Sequence, residues 1–382
     1  MKIGILTLWW SNDNYGQLLQ AWALQRQLYL LGHEPFLIRY SEYDRSKVSW
    51  KNKLIYEIKK IPLLGQLYKF FKINNYWTLY KRNKQRDFDG FRENNLSFSK
   101  QFYSSLNEFQ EDYPVADAYI VGSDQVWAHL LDKEYNSIFF LNFGNKDTRR
   151  IAYAPSFGME CYPEQLMSKL NIALSRFDTL SVREISGAKI CKDAGYEAVH
   201  VLDPTMLITP NEYRSLIVNK EEKYPYIYIY SININKAEQL KWEALQSFAN
   251  SHQFRTITTT ASGYFTADEI FGNTEYEYST IPQWLSNIAN AAMVVTTSFH
   301  GVVFSVLFHT KFVYFPIEGS YGRGNGRVLS LLNTLGLSNC IYNSSSSFDE
   351  MYNTEINWTE VDKVIELNRK ESLKFLINSL KR

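Results

Sequence analysis

At 382 residues the chain exceeds one ordinary domain, and size alone favours two hydrophobic cores. Its 45% apolar and 21% charged residues exclude wholesale disorder, and a formal net charge of +1 excludes a general nucleic-acid binder, whose phosphate contacts need a basic surplus. Cys161, Cys191 and Cys340 are too few and too scattered for a disulfide framework or a zinc site, so they read as reduced and structural. The opening residues run into Ser11-Asn-Asp-Asn14 without a cleavage pattern, and no stretch is apolar enough to span a membrane; a cytoplasmic enzyme is expected.

Lys2 to Leu8 reads as a buried strand, Gln17 to Leu31 as a helix stopped by Gly32, and Pro35 to Tyr40 as the next strand. That is the start of a βαβ unit, so Trp10-Ser-Asn-Asp-Asn-Tyr-Gly16 falls at a strand carboxyl end, where open parallel sheets bind ligands. It lacks G-x-G-x-x-G and so carries no dinucleotide fingerprint. Asn12, Asp13, Asn14 and Gln17 offer polar contacts there; the alternative is an Asx turn satisfied by itself. From Arg45 to Arg86, twelve Lys or Arg stand against the single acid Glu57, interleaved with aromatics. Such a segment suits an anionic membrane surface, against the alternative of surface helices with solvated lysines.

Phe88 to Phe109 reads as connecting helix and turn, and Ala116 to Val121 as a strand entering Gly122-Ser-Asp-Gln-Val-Trp127. Asp124, Gln125, Trp127 and His129 are expected to face a shared cleft, with Trp127 either a platform for a sugar or simply packed. Arg150 to Gly158 is again strand then turn. Arg183 closes the strand that starts at Thr179, where it can grip a carboxylate or phosphate or pair with Glu184. A linker is expected near Asp203.

The second half restarts with strands at Tyr226 to Ile232 and Arg255 to Thr260 and a helix from Ile281. Met293-Val-Val-Thr-Thr-Ser-Phe-His-Gly301 then reads as strand, polar turn and helix start. A helix N-terminus favours an anion, so His300 is the leading candidate for chemistry, with Ser298 and Gly301 beside it; alternatively it merely bonds a neighbour. The Gly319 to Arg327 loop supplies Arg323 and Arg327 at another helix start. The tail from Thr359 is an amphipathic helix crossing back onto the first domain.

Together, Asn14-Tyr-Gly-Gln-Leu-Leu-Gln-Ala-Trp-Ala-Leu24, Val121-Gly-Ser-Asp-Gln-Val-Trp127, Ile151-Ala-Tyr-Ala-Pro-Ser-Phe-Gly158, Ser181-Val-Arg-Glu184, Leu202-Asp-Pro-Thr205 and Ser298-Phe-His-Gly301 resemble the polysaccharide pyruvyl transferase family. The resemblance implies an α/β chain of two Rossmann-like domains in a glycosyltransferase-B-like arrangement, 1–205 and 206–358, with a helix at 359–382 and the site between them. It implies transfer from phosphoenolpyruvate onto two hydroxyls of one galactose-type sugar as a cyclic ketal, with phosphate released; no metal or cofactor is expected, because the histidines are scattered and no carboxylate cluster has ligand spacing. The acceptor is expected on a polyprenyl diphosphate carrier of a capsular or exopolysaccharide repeat.

His300 matches the family's essential histidine, and Arg183 an arginine used for the donor. Ser298 stands where many members carry arginine, so Arg323 and Arg327, with Arg150 behind them, are the expected substitutes. His300 can act as acid or base, and Asp13 and Asp124 as bases or acceptor ligands. Asn14, Gln17, Trp127 and His129 are the expected acceptor contacts. Two other readings compete: a glycosyltransferase using a nucleotide sugar, and a non-catalytic glycan-binding protein at the membrane surface.

Overall fold

A computed structural model of the chain describes residues 1–40, 80–128, 130–131, 134–217, 224–261 and 269–381. Of the basic segment, residues 45–79 lie outside these, and residues 80–86 are helical.

The first half builds a parallel sheet from β1 (Lys2–Leu6), β2 (Glu34–Tyr40), β3 (Phe98–Tyr103), β4 (Ala118–Val121), β5 (Arg149–Ala152), β6 (Thr179–Val182) and β7 (Val199–His200). Their spatial order is β3-β2-β1-β4-β5-β6-β7. The second half builds another from β8 (Tyr226–Ser231), β9 (Arg255–Thr260), β10 (Glu275–Tyr276), β11 (Met293–Thr296) and β12 (Phe312–Tyr314). It is also parallel, in the order β10-β9-β8-β11-β12. The central strands are buried at every position, Ala-Tyr-Ile-Val in β4 and Met-Val-Val-Thr in β11, as expected of a parallel sheet covered on both faces. Strand order reverses at β1/β4 and at β8/β11. Both sheets therefore present a ligand-binding crevice at the carboxyl ends of those strands.

The helices that matter for the site are α1 (Tyr15–Leu30), α2 (Ile185–Asp193), α3 (Ile281–Ala289), α4 (Phe299–Leu307), α5 (Asn325–Thr334) and α6 (Trp358–Leu380). Two elements depart from the sequence reading. Phe98–Tyr103 is a strand, not helix and turn; among the described residues it pairs with β2 alone, and it exposes Lys100, Gln101 and Phe102, so it lacks a buried-strand pattern. Gly319–Gly324 is a 3-10 turn rather than an open loop, and the helix after it starts at Asn325.

The two halves share a core. Tyr15, at the start of α1, stacks on Trp284 of α3 at 5.2 Å, meets Tyr230 edge-on at 5.7 Å, and donates its hydroxyl to the Ser279 carbonyl at 2.6 Å. Trp22, further along α1, packs on Tyr213. Apolar side chains run unbroken from α1 through α3 and α4, so the cleft above them has a fixed floor. Helix α6 crosses back as expected. Val361 and Ile365 join the shared core, whereas Leu376 and Leu380 pack with Ile3, Leu28 and Ile151 under the first sheet. Arg82 pairs with Glu269 at 3.2 Å, and the guanidinium groups of Arg82 and Arg86 lie over Tyr278, so the described end of the basic segment turns onto the second domain.

Candidate active site

A cavity of about 350 Å³ opens between the sheets. The turns after β1, β4, β8 and β11 supply Asn14, Asp124 with Gln125, Asn233, and Ser298 with His300; the start of α5 adds Asn325 and Arg327. A larger hollow of about 970 Å³ lies at the amino ends of β1 and β2, beside Lys2, His33 and Glu34. Among the described residues, no buried unpartnered polar atom belongs to its lining, whereas His300, whose Nε2 is such an atom, lines the smaller cleft, which is therefore the candidate site.

Three helices begin at this cleft. Asn14 caps α1 by accepting from Gln17 N at 3.1 Å, Ser298 caps α4 by accepting from Gly301 N at 3.4 Å, and α5 starts at Asn325. Their positive ends converge with the Arg327 guanidinium, an arrangement that favours an anion. Burial and the nearby Arg183 draw Arg327 down to about 10, which leaves it charged at neutral pH. Its Nε donates to the Gly324 carbonyl at 3.2 Å, and the group lies 5.9 Å from the centre of the Phe299 ring. Arg183 approaches the same ring at 4.7 Å.

His300 is 6% exposed. Its ring lies against the backbone of α1, so closely that a Cβ on Gly16 would stand 2.0 Å from Nδ1. Nε2 is fully buried without a hydrogen-bond partner, and Oδ1 of Asp203 stands 3.9 Å from it. Burial, reinforced by Arg183 and Arg327 and opposed by Asp203 and Asp124, lowers the imidazole to about 4. At neutral pH it is therefore uncharged.

Asp203 is the hub behind this ring. Its Oδ2 accepts from Ser123 Oγ at 2.7 Å and Arg183 Nη1 at 2.8 Å, and its Oδ1 from Thr205 N at 3.0 Å and Oγ1 at 2.6 Å. Burial alone would push its carboxyl up, but His300, Arg183 and the Thr205 hydrogen bonds hold it down to about 2. On the first-domain wall, Glu184 Oε1 accepts from Ser156 Oγ, Phe157 N and Gly158 N at 3.0, 2.8 and 3.3 Å. That carboxylate shapes the turn ending at Gly158, while its Oε2 is buried without a partner. Asp124 adopts a left-handed backbone with φ of 76°, a conformation that concentrates at functional sites.

A family model described as polysaccharide pyruvyl transferase matches residues 14–319. The chain belongs to that family. A search of curated proteins finds no match. Among solved structures, an alpha-glucosyltransferase in complex with UDP and a 13-mer DNA containing a central A:G mismatch superposes with a TM-score of 0.51 at 9% identity, over 97% of this chain and 90% of that one. The UDP-GlcNAc 2-epimerase of Neisseria meningitidis bound to UDP-GlcNAc gives 0.47 at 6% identity over 100% and 99%, and that of Methanocaldococcus jannaschii 0.48 at 9% over 96% and 99%. At such identities the likeness concerns fold alone, and it accords with two Rossmann-like domains in a glycosyltransferase-B-type arrangement.

In this pyruvyl transferase family member, Asn14, Asp124, Ser298, His300 and Arg327 line the one cavity. Several other sequence expectations need correction. Trp127 is wholly buried, donates Nε1 to the Phe139 carbonyl at 2.9 Å and stacks on Phe140, so it offers no platform to a sugar. Arg150 is spent on structure: its guanidinium donates to the carbonyls of Leu141, Phe143, Asn145, Lys146 and Thr148. Gly301 gives its N–H to the Ser298 cap, and a Cβ there would meet Thr296 Oγ1 at 2.2 Å, so it serves packing of α4 on β11 rather than ligand approach.

Arg183, with a side chain only 1% exposed, is not part of this cavity's lining; it borders a smaller neighbouring hollow together with Asp203, Phe299 and Arg327. Its Nε and Nη2 nevertheless lack partners. Asp13 and Gln17 accept from Ser11 Oγ and Ser11 N at 2.8 Å each, so they bond their own loop, as the Asx-turn alternative has it. His129 and the Arg323 side chain lie outside the described residues. Sequence reasoning missed Asp203, read as linker, and Glu184, read only as a partner for Arg183. The signal for Asp203 was the Asp-Pro-Thr run, which caps a short helix. Among the described residues, no group of three His, Cys, Asp or Glu is placed to hold a metal.

Proposed function

We propose that this polysaccharide pyruvyl transferase takes its three-carbon group from phosphoenolpyruvate and closes it as a cyclic ketal on two hydroxyls of one galactose-type sugar. The observation that carries this reading is the convergence of three helix starts and Arg327 on a cavity holding a neutral, buried imidazole. A donor bearing a phosphate and a carboxylate is what such a positive, partly closed site favours. The methylene carbon gains a proton and becomes methyl, and the first sugar oxygen bonds to C2. Phosphate leaves with the C–O electron pair, and the second sugar oxygen bonds in its place. Of the two hydroxyl protons, one balances the new methyl and the other leaves with phosphate. Neutral His300 is the base for one hydroxyl, and Asp124 on the facing wall is placed to receive the other. The reaction as written needs no metal or cofactor.

We assign the acceptor to a polyprenyl diphosphate carrier of a capsular or exopolysaccharide repeat, met at the cytoplasmic face of a membrane. The support is the basic surplus of residues 45–86. The test is incubation with phosphoenolpyruvate and a galactose-bearing acceptor, free or polyprenyl-linked, with anionic vesicles present or absent. Phosphate release should accompany a product carrying one ketal methyl by NMR, fastest for the lipid-linked acceptor on vesicles. Transfer only from a nucleotide sugar would overturn the donor; equal rates for both acceptors would remove the membrane part.

A further inference from the structure

We propose that Asp203 is the positioning residue for His300: it fixes the imidazole with its proton on Nε2 and leaves Nδ1 as the nitrogen that meets substrate. The inference rests on the reading of His300 as the base in pyruvyl transfer, and adds to it the group that orients and steadies that base.

Three features of the geometry carry it. First, the ring has little freedom, because Gly16 lies against Nδ1 and Phe299 meets the imidazole edge-on at 5.2 Å between centres. Second, Nε2 is fully buried with no hydrogen-bond partner, and the acceptor standing opposite it is Asp203 Oδ1. With Nε2 hidden, substrate is left to Nδ1, on the side of the ring beside Gly16 at the start of α1. Third, the carboxylate cannot turn away, since Ser123 and Arg183 hold one oxygen and Thr205 the other. A carboxylate so fixed is wasted on a ring that stays neutral. Its use comes when Nδ1 takes the hydroxyl proton, because the resulting, largely buried imidazolium then faces a fixed negative charge. The charges facing the ring are Asp203 after β7, Arg183 after β6, Asp124 after β4 and Arg327 of α5. Two carboxylates balance two guanidinium groups, and removing Asp203 leaves the imidazolium in net positive surroundings.

Two measurements test this. With ¹⁵N-labelled histidine and His300→Gln to assign the signal, the wild-type ring is expected to carry its proton on Nε2 at neutral pH. Asp203→Asn is expected to lower kcat by about 100-fold with the donor KM within about threefold, because the lost interaction belongs to the transition state. Its acid limb in kcat/KM should move to lower pH, since the carboxylate that raises the ring's proton affinity is gone. Thr205→Val, which removes one of the two hydrogen bonds to Oδ1 and keeps the charge, should lower kcat by about tenfold. It also serves if Asp203→Asn fails to fold. A wild-type proton on Nδ1, or an activity loss that follows melting temperature and leaves the pH profile in place, would overturn the proposal. The NMR result stands whether or not the protein transfers pyruvate, so failure of the function and failure of this inference are distinguishable.

Discussion

Replacing His300 with Gln is expected to lower kcat by about 10³-fold while leaving the donor KM within a few-fold, because a base acts on the chemical step more than on binding. The side chain is similar in reach, and the cavity keeps Arg327 and its three helix starts. The pH profile gives the same claim a second readout. With the ring lowered to about 4 from an ordinary 6.5, the acid limb of wild-type kcat/KM should lie near 4. The linkage to stability has the opposite sense from that of a salt-bridged histidine. Between pH 6.5 and 4 the unfolded chain binds the proton that the folded ring refuses, so His300 lowers stability as pH falls through that window and not above it. His300→Gln should therefore resist acid unfolding in that window better than wild type. A wild-type acid limb near 6.5 would contradict a buried neutral ring.

Gly16→Ala is expected to lower kcat by about 100-fold, a loss typical of a catalytic group displaced by about 1 Å. Helix propensity alone argues the other way, since alanine in a helix is favoured over glycine by about 1 kcal/mol. The steric term wins because the new Cβ would stand 2.0 Å from Nδ1 and 2.2 Å from Cγ of His300, and the ring must move. The variant should stay folded, with a displaced His300 resonance. Full activity in Gly16→Ala would show that the ring has room the structure does not give it.

Much of the frame was legible in the sequence. The central strands are apolar runs ending in polar turns, and those turns fall at strand carboxyl ends by the rule for parallel sheets. His300 was visible because helix starts announce themselves locally, through Thr296, Thr297 and Ser298 before an apolar run. What escaped depends on partners distant in sequence or silent in it. The role of Asp203 is made by Ser123 and His300, far along the chain on either side, and Gly16 matters because of a ring at position 300. Arg150 was misread because its five acceptors are backbone carbonyls, which side-chain identity does not reveal. Trp127 was misread because Phe139 and Phe140, which help bury it, sit in a 3-10 segment, Glu134–Phe140, that has no helix or strand period. Strand β3 pairs with β2 alone among the described residues, and polar residues interrupt its apolar pattern.

The most direct test is calorimetric titration of phosphoenolpyruvate into the wild-type protein and into Arg327→Ala, each repeated in the presence of a uridine diphosphate sugar. Saturable binding to the wild type is expected, weakened by about 100-fold in Arg327→Ala, because removing one partner of a partly buried charge pair costs about 2–5 kcal/mol. The nucleotide sugar should not displace the three-carbon donor. No binding of phosphoenolpyruvate, with the nucleotide sugar instead bound in a manner that depends on Arg327, would contradict the account.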